Sequence, residues 1–282
     1  MSNDETADNN LFSEGLLFAK TKVKMLNTIS NGLVDIMNDA FNIGLPVLQE
    51  FIKAVFIYHF EPYYKYNIIK EEELKQFAKD FTEKYKNIPE AKVIDTPNAG
   101  HVMQIFSGLS QTITQQELRL AYTNLLCNAI HSDYKETIHP CYMEILKNLS
   151  NIELIMLLHF YKQFKKEGGG FTIIDFAKYN PDDSFNSYFS NFNEAYLLDE
   201  LKSLPIDLLQ TSFDNLVRLN IVGFMNYAKI NDEKEYKKIE TSFFENNFHK
   251  GDEDIRSRGN LGAGIITELG KNFIQTCSRD FN

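Results

Sequence analysis

Residues 96–161 read TPNAGHVMQIFSGLSQTITQQELRLAYTNLLCNAIHSDYKETIHPCYMEILKNLSNIELIMLLHFY, and the helix signals in this stretch decide the fold. Two pairs in it have the S/T-x-x-E spacing of a capping box: Thr114 with Glu117, and Ser150 with Glu153. In a capping box each side chain accepts a hydrogen bond from the backbone N–H of the other residue, which satisfies donors that the first turn leaves unpaired. The spacing therefore predicts a helix start at each pair.

Apolar residues repeat at intervals of three and four after each start, as the buried face of an amphipathic helix requires. The repeats are Leu118, Ala121, Tyr122, Leu125, Leu126 and Ala129 in the first helix, and Leu154, Ile155, Leu157, Leu158, Tyr161 and Phe164 in the last. Between them, His139-Pro140 predicts another start, because proline is tolerated in the first turn. Gly168–Gly170 ends the last helix. Three consecutive helices with short connections predict a compact helical core.

The same stretch has a more particular order of residues. After Pro97 and an apolar helix come Gln116-Glu117-Leu118-Arg119, Asn124-Leu125-Leu126, Ile138-His139-Pro140, Glu144-Ile145-Leu146 and Leu149-Ser150. This order resembles the bacterial abortive infection alpha (Abi-alpha) family, whose function is otherwise unknown. The resemblance implies an anti-phage protein that halts growth or kills the infected cell. It also implies action through protein or membrane contacts rather than covalent chemistry.

The expected fold class is mainly α, with an N-terminal and central helical bundle followed by a winged-helix-like α+β C-terminal domain. The expected parts are a disordered tail at 1–12, N-terminal helices at 13–86, an extended linker at 87–97, the Abi-alpha-like helical core at 98–167 and the winged-helix-like domain at 171–282. A mobile polar insertion is expected near 231–260 in the last domain.

The winged-helix interpretation depends on the order of elements near the C-terminus. A helix from Pro205 runs into Leu219–Phe224, the pattern in which a recognition helix turns into the first wing strand, predicted at 224–230. A second strand at Ile265–Ile266 then leads into a helix capped by Thr267. The glycine-rich run Gly259–Gly264 is expected to form the wing hairpin.

Composition excludes several classes of protein. The formal net charge is −10; residues 151–282 carry 15 Lys and Arg against 20 Asp and Glu, and residues 1–150 carry 14 against 19. Neither half has the positive field that attracts a phosphate backbone, which argues against a nucleic-acid binder, although a local patch leaves DNA contact by the C-terminal domain open. The three cysteines form no disulfide framework, and the N-terminus is acidic and polar, so we expect a cytoplasmic protein.

The residues that bear chemistry do not form a recognisable active site. The best metal candidate is His139 and Cys141 with His131 and Asp133, but Zn²⁺ needs three or four converging ligands, usually in closely spaced pairs. The interpretation that His139 caps a helix is favoured. We therefore expect no catalytic residue, no cofactor, no metal site and no enzyme.

Binding surfaces remain as candidates. Glu117 and Arg119 are interpreted as a surface ion pair or a helix-start charge. The alternative is a polar buttress that fixes how the central helix meets its partners. The helix at 45–60, which contains Phe51 and Phe56, is too short and too charged to span a bilayer. It is interpreted as core, with a shielded partner-binding or membrane-interacting helix as the alternative.

Three arginines and one histidine complete the set of candidate interaction residues. Arg218 is the strongest DNA contact on the helix after Pro205, Arg256 and Arg258 lie in a segment that could sense a trigger, and His139 belongs to the family-like pattern. The favoured function is anti-phage defence through protein–protein or membrane-surface interaction. The alternative is a winged-helix DNA-binding regulator or a general interaction scaffold. Expected partners are another protein or a second copy, with a phage component as trigger.

Overall fold

The computed structural model describes residues 33, 35, 36, 38, 45–167, 170–179, 185–225, 234, 236–241 and 255–279. The predicted tail at 1–12, most of the first predicted helix and most of the predicted insertion lie outside these residues. The chain divides into two compact units, residues 1–148 with 275–282, and residues 149–274.

The first unit contains five described α-helices. They are α1 (Pro46–Lys65), α2 (Glu71–Tyr85), α3 (Ala99–Thr112), α4 (Gln116–Ala129) and α5 (Pro140–Lys147). Short 3₁₀ turns at Glu90–Lys92 and Lys135–Thr137 lie in the connections. The predicted extended linker at 87–97 therefore contains a turn, and its Val93 forms an isolated antiparallel bridge with His131.

The ends of α1 follow from local chemistry. Pro46 occupies the first turn, where its missing N–H needs no partner, and Pro62 lies in the last turn, which ends at Lys65. Asn67 then adopts a left-handed backbone with φ of 58°, and the N–H of Ile68 donates to the carbonyl of Tyr63 at 2.8 Å. This is the 6→1 hydrogen bond of a Schellman motif, which stops a helix by satisfying its last carbonyls.

Aromatic side chains fill the core of the first unit. Phe56 lies 6.2 Å from Phe77, and Phe106 meets both rings edge-on at 6.3 and 6.1 Å. The fully buried members of the cluster are Phe56, Phe60, Phe77, Phe81 and Phe106. Offset and edge-to-face contacts of this kind add to the gain from burial.

One predicted helix start is wrong and two are confirmed. α4 begins after Gln115 rather than Thr114, and no side chain caps it, because Glu117 falls in the second helical position and cannot close a box. The Nδ1 atom of His139 accepts from the N–H of Cys141 at 3.2 Å and caps α5. The N–H of Ser150 donates to Glu153 Oε2 and the N–H of Glu153 donates to Ser150 Oγ, which completes a capping box.

The second unit combines two long helices with a sheet. Its elements are α6 (Asn151–Glu167), β1 (Phe171–Tyr179), β2 (Phe185–Asn193), a 3₁₀ turn (Glu194–Leu197), α7 (Ile206–Arg218), β3 (Val222–Met225), β4 (Ile255–Ile266) and α8 (Glu268–Cys277), whose last residues are counted with the first unit. The helix α6 groups with this unit because it packs on α7 and the sheet. The boundary between the two units, after residue 148, therefore lies closer to the N-terminus than the predicted end of the helical core at 167.

The sheet is antiparallel throughout and has the order β2-β1-β4-β3. The sequence did not predict β1 and β2, and Gly259–Gly264 lies within β4 rather than in a hairpin. Gly264 has a packing reason, because a Cβ there would overlap the ring of Phe171. That ring stacks on Phe160 at 3.8 Å and meets Phe213 edge-on at 6.0 Å.

The start of α8 confirms the prediction for Thr267. Its Oγ1 accepts from the N–H of Gly270 at 2.9 Å and donates to the carbonyl of Asn220 at 2.7 Å. The cap therefore also fixes the turn after α7, where Asn220 has a φ of 56°. With a helical first unit and a mixed second unit, the protein is mainly α with an α+β C-terminal region, which confirms the predicted class.

The contact between Gly108 and Tyr122 makes a first prediction. A Cβ at Gly108 would overlap the Tyr122 hydroxyl and ring, so Gly108→Ala should lower the free energy of unfolding by about 1–3 kcal/mol. The buried Tyr122 hydroxyl has no hydrogen-bond partner among the described residues, so Tyr122→Phe should leave stability unchanged or raise it. Urea unfolding measures both changes. A Gly108→Ala protein as stable as the parent would contradict this packing.

Candidate functional site

Arg119 and Asp80 form a buried ion pair between α4 and α2. Arg119 Nε lies 2.7 Å from Asp80 Oδ2, and the two side chains are only 10% and 9% exposed. Arg119 Nη1 also donates to the carbonyl of Ile113 at 3.0 Å, and Gln76 Nε2 donates to Asp80 Oδ1 at 2.8 Å. Buried charges are tolerated when their remaining donors and acceptors are satisfied in this way.

This geometry corrects the interpretation of Arg119 as half of a surface pair with Glu117. The partner of Arg119 is Asp80, 39 residues earlier, whereas Glu117 is only half-buried. The reason is the position of Arg119 on the face of α4 that packs against α2. Arg119 thus has the role of the alternative interpretation, a polar buttress of the central helix.

Two asparagines of α4 bind the end of α8. Asn124 Nδ2 donates to the carbonyl of Cys277 at 2.6 Å, and Asn128 Nδ2 donates to the carbonyl of Thr276 at 2.8 Å. The last carbonyls of a helix have no partner within the helix. The two amides, one turn apart, satisfy two of them across about 150 residues of sequence.

Arg279 extends this contact. Its Nη1 donates to Asn128 Oδ1 at 2.7 Å, and its guanidinium lies 3.8 Å from the centroid of the Tyr134 ring. A cation over a tyrosine face is attracted by the ring quadrupole. We call Arg119, Asn124 and Asn128 the α4 anchors, because each fixes α4 to a distant part of the first unit.

The other sequence candidates are dispersed. Phe51 and Phe56 are fully buried core residues of α1, and His139 caps α5 at the surface. Arg218 is exposed but donates from Nε and Nη2 to Asn215 Oδ1 at 2.9 and 2.7 Å. Asn215 in turn donates to Glu153 at 2.7 Å, so the guanidinium is held by the second unit itself.

Arg256 and Arg258 lie in β4 rather than in the predicted insertion. Arg256 is paired with Ala177 of β1, and Arg258 falls where the register between the two strands shifts. The structure does not bring the candidate residues together into one site.

Two of the thiols and two of the imidazoles are buried, and burial favours their neutral forms. Burial raises the pKa of the Cys127 thiol to about 12 and also raises that of Cys277. Burial lowers the pKa of His59 to about 4 and also lowers that of His131. Among the described residues, no group of three or more His, Cys, Asp or Glu side chains is placed to hold a metal ion, and no helix is long and apolar enough to cross a membrane.

One exposed surface was not anticipated from the sequence. Asp207, Leu208, Thr211 and Asp214 are exposed along one side of α7, and Leu208 keeps 42% of its surface. We call these four residues the α7 ridge. Leu208 looked like another core position in the sequence because the buried Leu209 follows it directly.

The first unit has an open groove beside α2. It has a volume of about 350 Å³ and is lined by Ile36, Lys75, Ala78, Lys79, Thr82, Glu83 and Lys86. Its apolar part comes from Ile36 and Ala78, and its lysines are exposed. We call it the α2 groove.

The buried ion pair makes the second prediction. Asp80→Ala should lower the free energy of unfolding by about 3–5 kcal/mol, because Arg119 would remain buried without its carboxylate. Adding Arg119→Met should recover most of the loss. In urea unfolding, Glu83→Ala is the control, because it breaks the exposed Lys79–Glu83 pair and should change stability little. Equal effects of Asp80→Ala and Glu83→Ala would refute the assignment.

The asparagine contacts make the third prediction. Asn128→Ala should lower the free energy of unfolding by about 1–3 kcal/mol, because the Thr276 carbonyl and Arg279 lose a buried hydrogen-bond partner. Amide hydrogen exchange should accelerate at residues 275–279. Asn148→Ala, which removes a bond from an exposed amide to the Glu144 carbonyl, should have a smaller effect. Unchanged exchange at 275–279 would count against the contact.

One comparison with known proteins finds a match. The model of the family described as "Abortive infection alpha" matches residues 69–277. This span contains α2, α4 and the Thr276 and Cys277 carbonyls, and so both partners in each anchor contact. No curated protein and no solved structure matches. The family match covers well over half of the 282 residues, and the chain therefore belongs to the abortive infection alpha family, whose name associates it with abortive infection.

Proposed function

We propose that the protein acts in abortive infection as a protein-binding component, and that the α7 ridge makes the contact. The proposal is carried by a difference between two sets of residues, the α4 anchors and the α7 ridge. The α4 anchors are used in contacts within the first unit. The α7 ridge instead exposes two carboxylates on one side of the helix, Asp207 and Asp214, and beside them the apolar side chain of Leu208.

The protonation state of the cysteines supports action without catalysis. A thiol is a good nucleophile only as the thiolate, which requires an electropositive and accessible environment. Burial keeps Cys127 and Cys277 protonated, and the pKa of the partly exposed Cys141 is also raised by desolvation. The proposal therefore assigns the defence role to binding.

The order of elements supports a winged-helix architecture for the second unit. The helix α6 precedes β1, and α7 is followed by β3 and β4. The sheet neighbours β1-β4-β3 place the last strand in the middle, as in winged-helix domains, and β2 is an additional strand beside β1. In this architecture α7 occupies the position of the recognition helix.

The charge of α7 favours a protein partner over DNA. Its exposed side carries Asp207 and Asp214, and its one arginine, Arg218, is bonded to Asn215. A helix that enters a DNA groove needs cationic and amide side chains for phosphates and bases. Two carboxylates there would be repelled by the phosphates, and equally by an anionic membrane surface.

The test is a phage challenge of bacteria that express the protein, at low and high multiplicity of infection. Wild type should reduce plaques at low multiplicity, and the infected culture should collapse or stop growing at high multiplicity. Leu208→Lys should abolish protection, because it replaces the exposed apolar side chain of the α7 ridge with a charge. Ile68→Lys is the matched control, since Ile68 is even more exposed, at 66%, and should protect normally.

Equal protection by Leu208→Lys and wild type, at equal protein levels, would contradict the α7 ridge as the contact. A loss of protection in Arg218→Ala, together with salt-dependent DNA binding by the purified wild type, would support the DNA-binding regulator instead.

A further inference from the structure

The α7 ridge and the α2 groove are complementary in charge. The ridge has two exposed carboxylates, Asp207 and Asp214. The groove has three lysines, Lys75, Lys79 and Lys86, and one carboxylate, Glu83. The ridge also exposes the apolar side chain of Leu208, whereas Ile36 and Ala78 in the groove are more than nine-tenths buried.

The two surfaces also match in spacing. Asp207 and Asp214 are seven residues apart, as are Lys79 and Lys86. Seven residues of helix rise about 10.5 Å, close to two full turns, so both side chains of each pair fall on nearly the same side. Two helices packed side by side can therefore form both ion pairs at once.

The residues between the lysines allow a close approach. Ala78 and Thr82 are small, and they lie one turn apart on the groove side of α2. A small-residue surface lets a second helix lie closer than a row of long side chains would. Leu208, about 100° around α7 from Asp207, would lie at the edge of this contact.

We propose that the α7 ridge of one copy docks into the α2 groove of a second copy of this chain. The inference rests on the proposed function, because it names the partner of the same ridge. Each copy carries a net charge of −10, so two copies repel at long range. A stable contact between them has to be made where opposite charges meet.

The groove lysines are available for this contact. Lys79 Nζ lies 3.9 Å from Glu83 Oε1, and both side chains are about two-thirds exposed. Lys75 pairs with Glu71 at 2.6 Å in a similarly open position. Exposed pairs of this kind are weak, so Lys79 can exchange Glu83 for an aspartate of the partner. Glu83 opposes docking, and Glu83→Gln should strengthen it.

The experiment measures the mass of the full chain over a range of concentrations by analytical ultracentrifugation. Wild type should associate, and Asp207→Lys with Asp214→Lys should weaken association by at least about tenfold, because like charges then face each other. Lys79→Glu with Lys86→Glu should do the same. The chain with all four changes restores opposite charges and should associate again. Circular dichroism checks that each variant is folded.

A wild type that stays monomeric at every concentration would overturn the inference, as would association that both double variants leave unchanged. If either result is found and Leu208→Lys still loses phage protection, the proposed function stands and the ridge binds a different partner. Self-association that the charge swap restores, together with protection by every variant, would support the docking and refute the proposed function.

Discussion

The buried ion pair of Arg119 and Asp80 constrains how the helices of the first unit pack. A guanidinium and a carboxylate that are each about nine-tenths buried must keep their hydrogen bonds, since leaving either charge unpaired costs several kcal/mol. The Ile113 carbonyl and the Gln76 amide complete the set. The relative position of α2, the end of α3 and α4 is therefore narrowly determined, and the aromatic cluster packs within it.

The same helix fixes the C-terminus of the chain. Asn124 and Asn128 bind the last carbonyls of α8, so one helix organises contacts to residues on both sides of it in sequence. Arg119 and Asn124 belong to the family-like pattern, and each is used in a contact inside the protein. Outside that pattern, α7 exposes apolar and acidic groups on one side.

Local signals predicted local structure well. Ser150 with Glu153, His139-Pro140 and Thr267 all cap the helices that they were expected to cap. Thr114 failed because the spacing alone does not fix where a helix begins. The Asp80 partner of Arg119 has no local signal, since the ion pair joins residues 39 apart and Asp80 looks like any charge on α2. Two asparagines four residues apart in the apolar run of α4 indicate buried hydrogen bonds. Nothing in the sequence indicates that their partners are the carbonyls of Cys277 and Thr276.

The glycine run in β4 was predicted wrongly for a different reason. The glycines at 259–264 favour a turn by local propensity, yet Gly264 lies in β4 because the Phe171 ring occupies the space of a side chain. The sequence also does not show that Leu208 is exposed, because its exposure depends on which side of α7 faces the core.

The most direct test of the central claim compares stability with phage protection across growth temperatures for variants of Arg119 and Asn124. If these residues serve the fold, protection should follow the folded fraction and return at temperatures where each variant is folded. A variant that is fully folded at the growth temperature and yet gives no protection would contradict the claim, since the side chain would then act directly in defence.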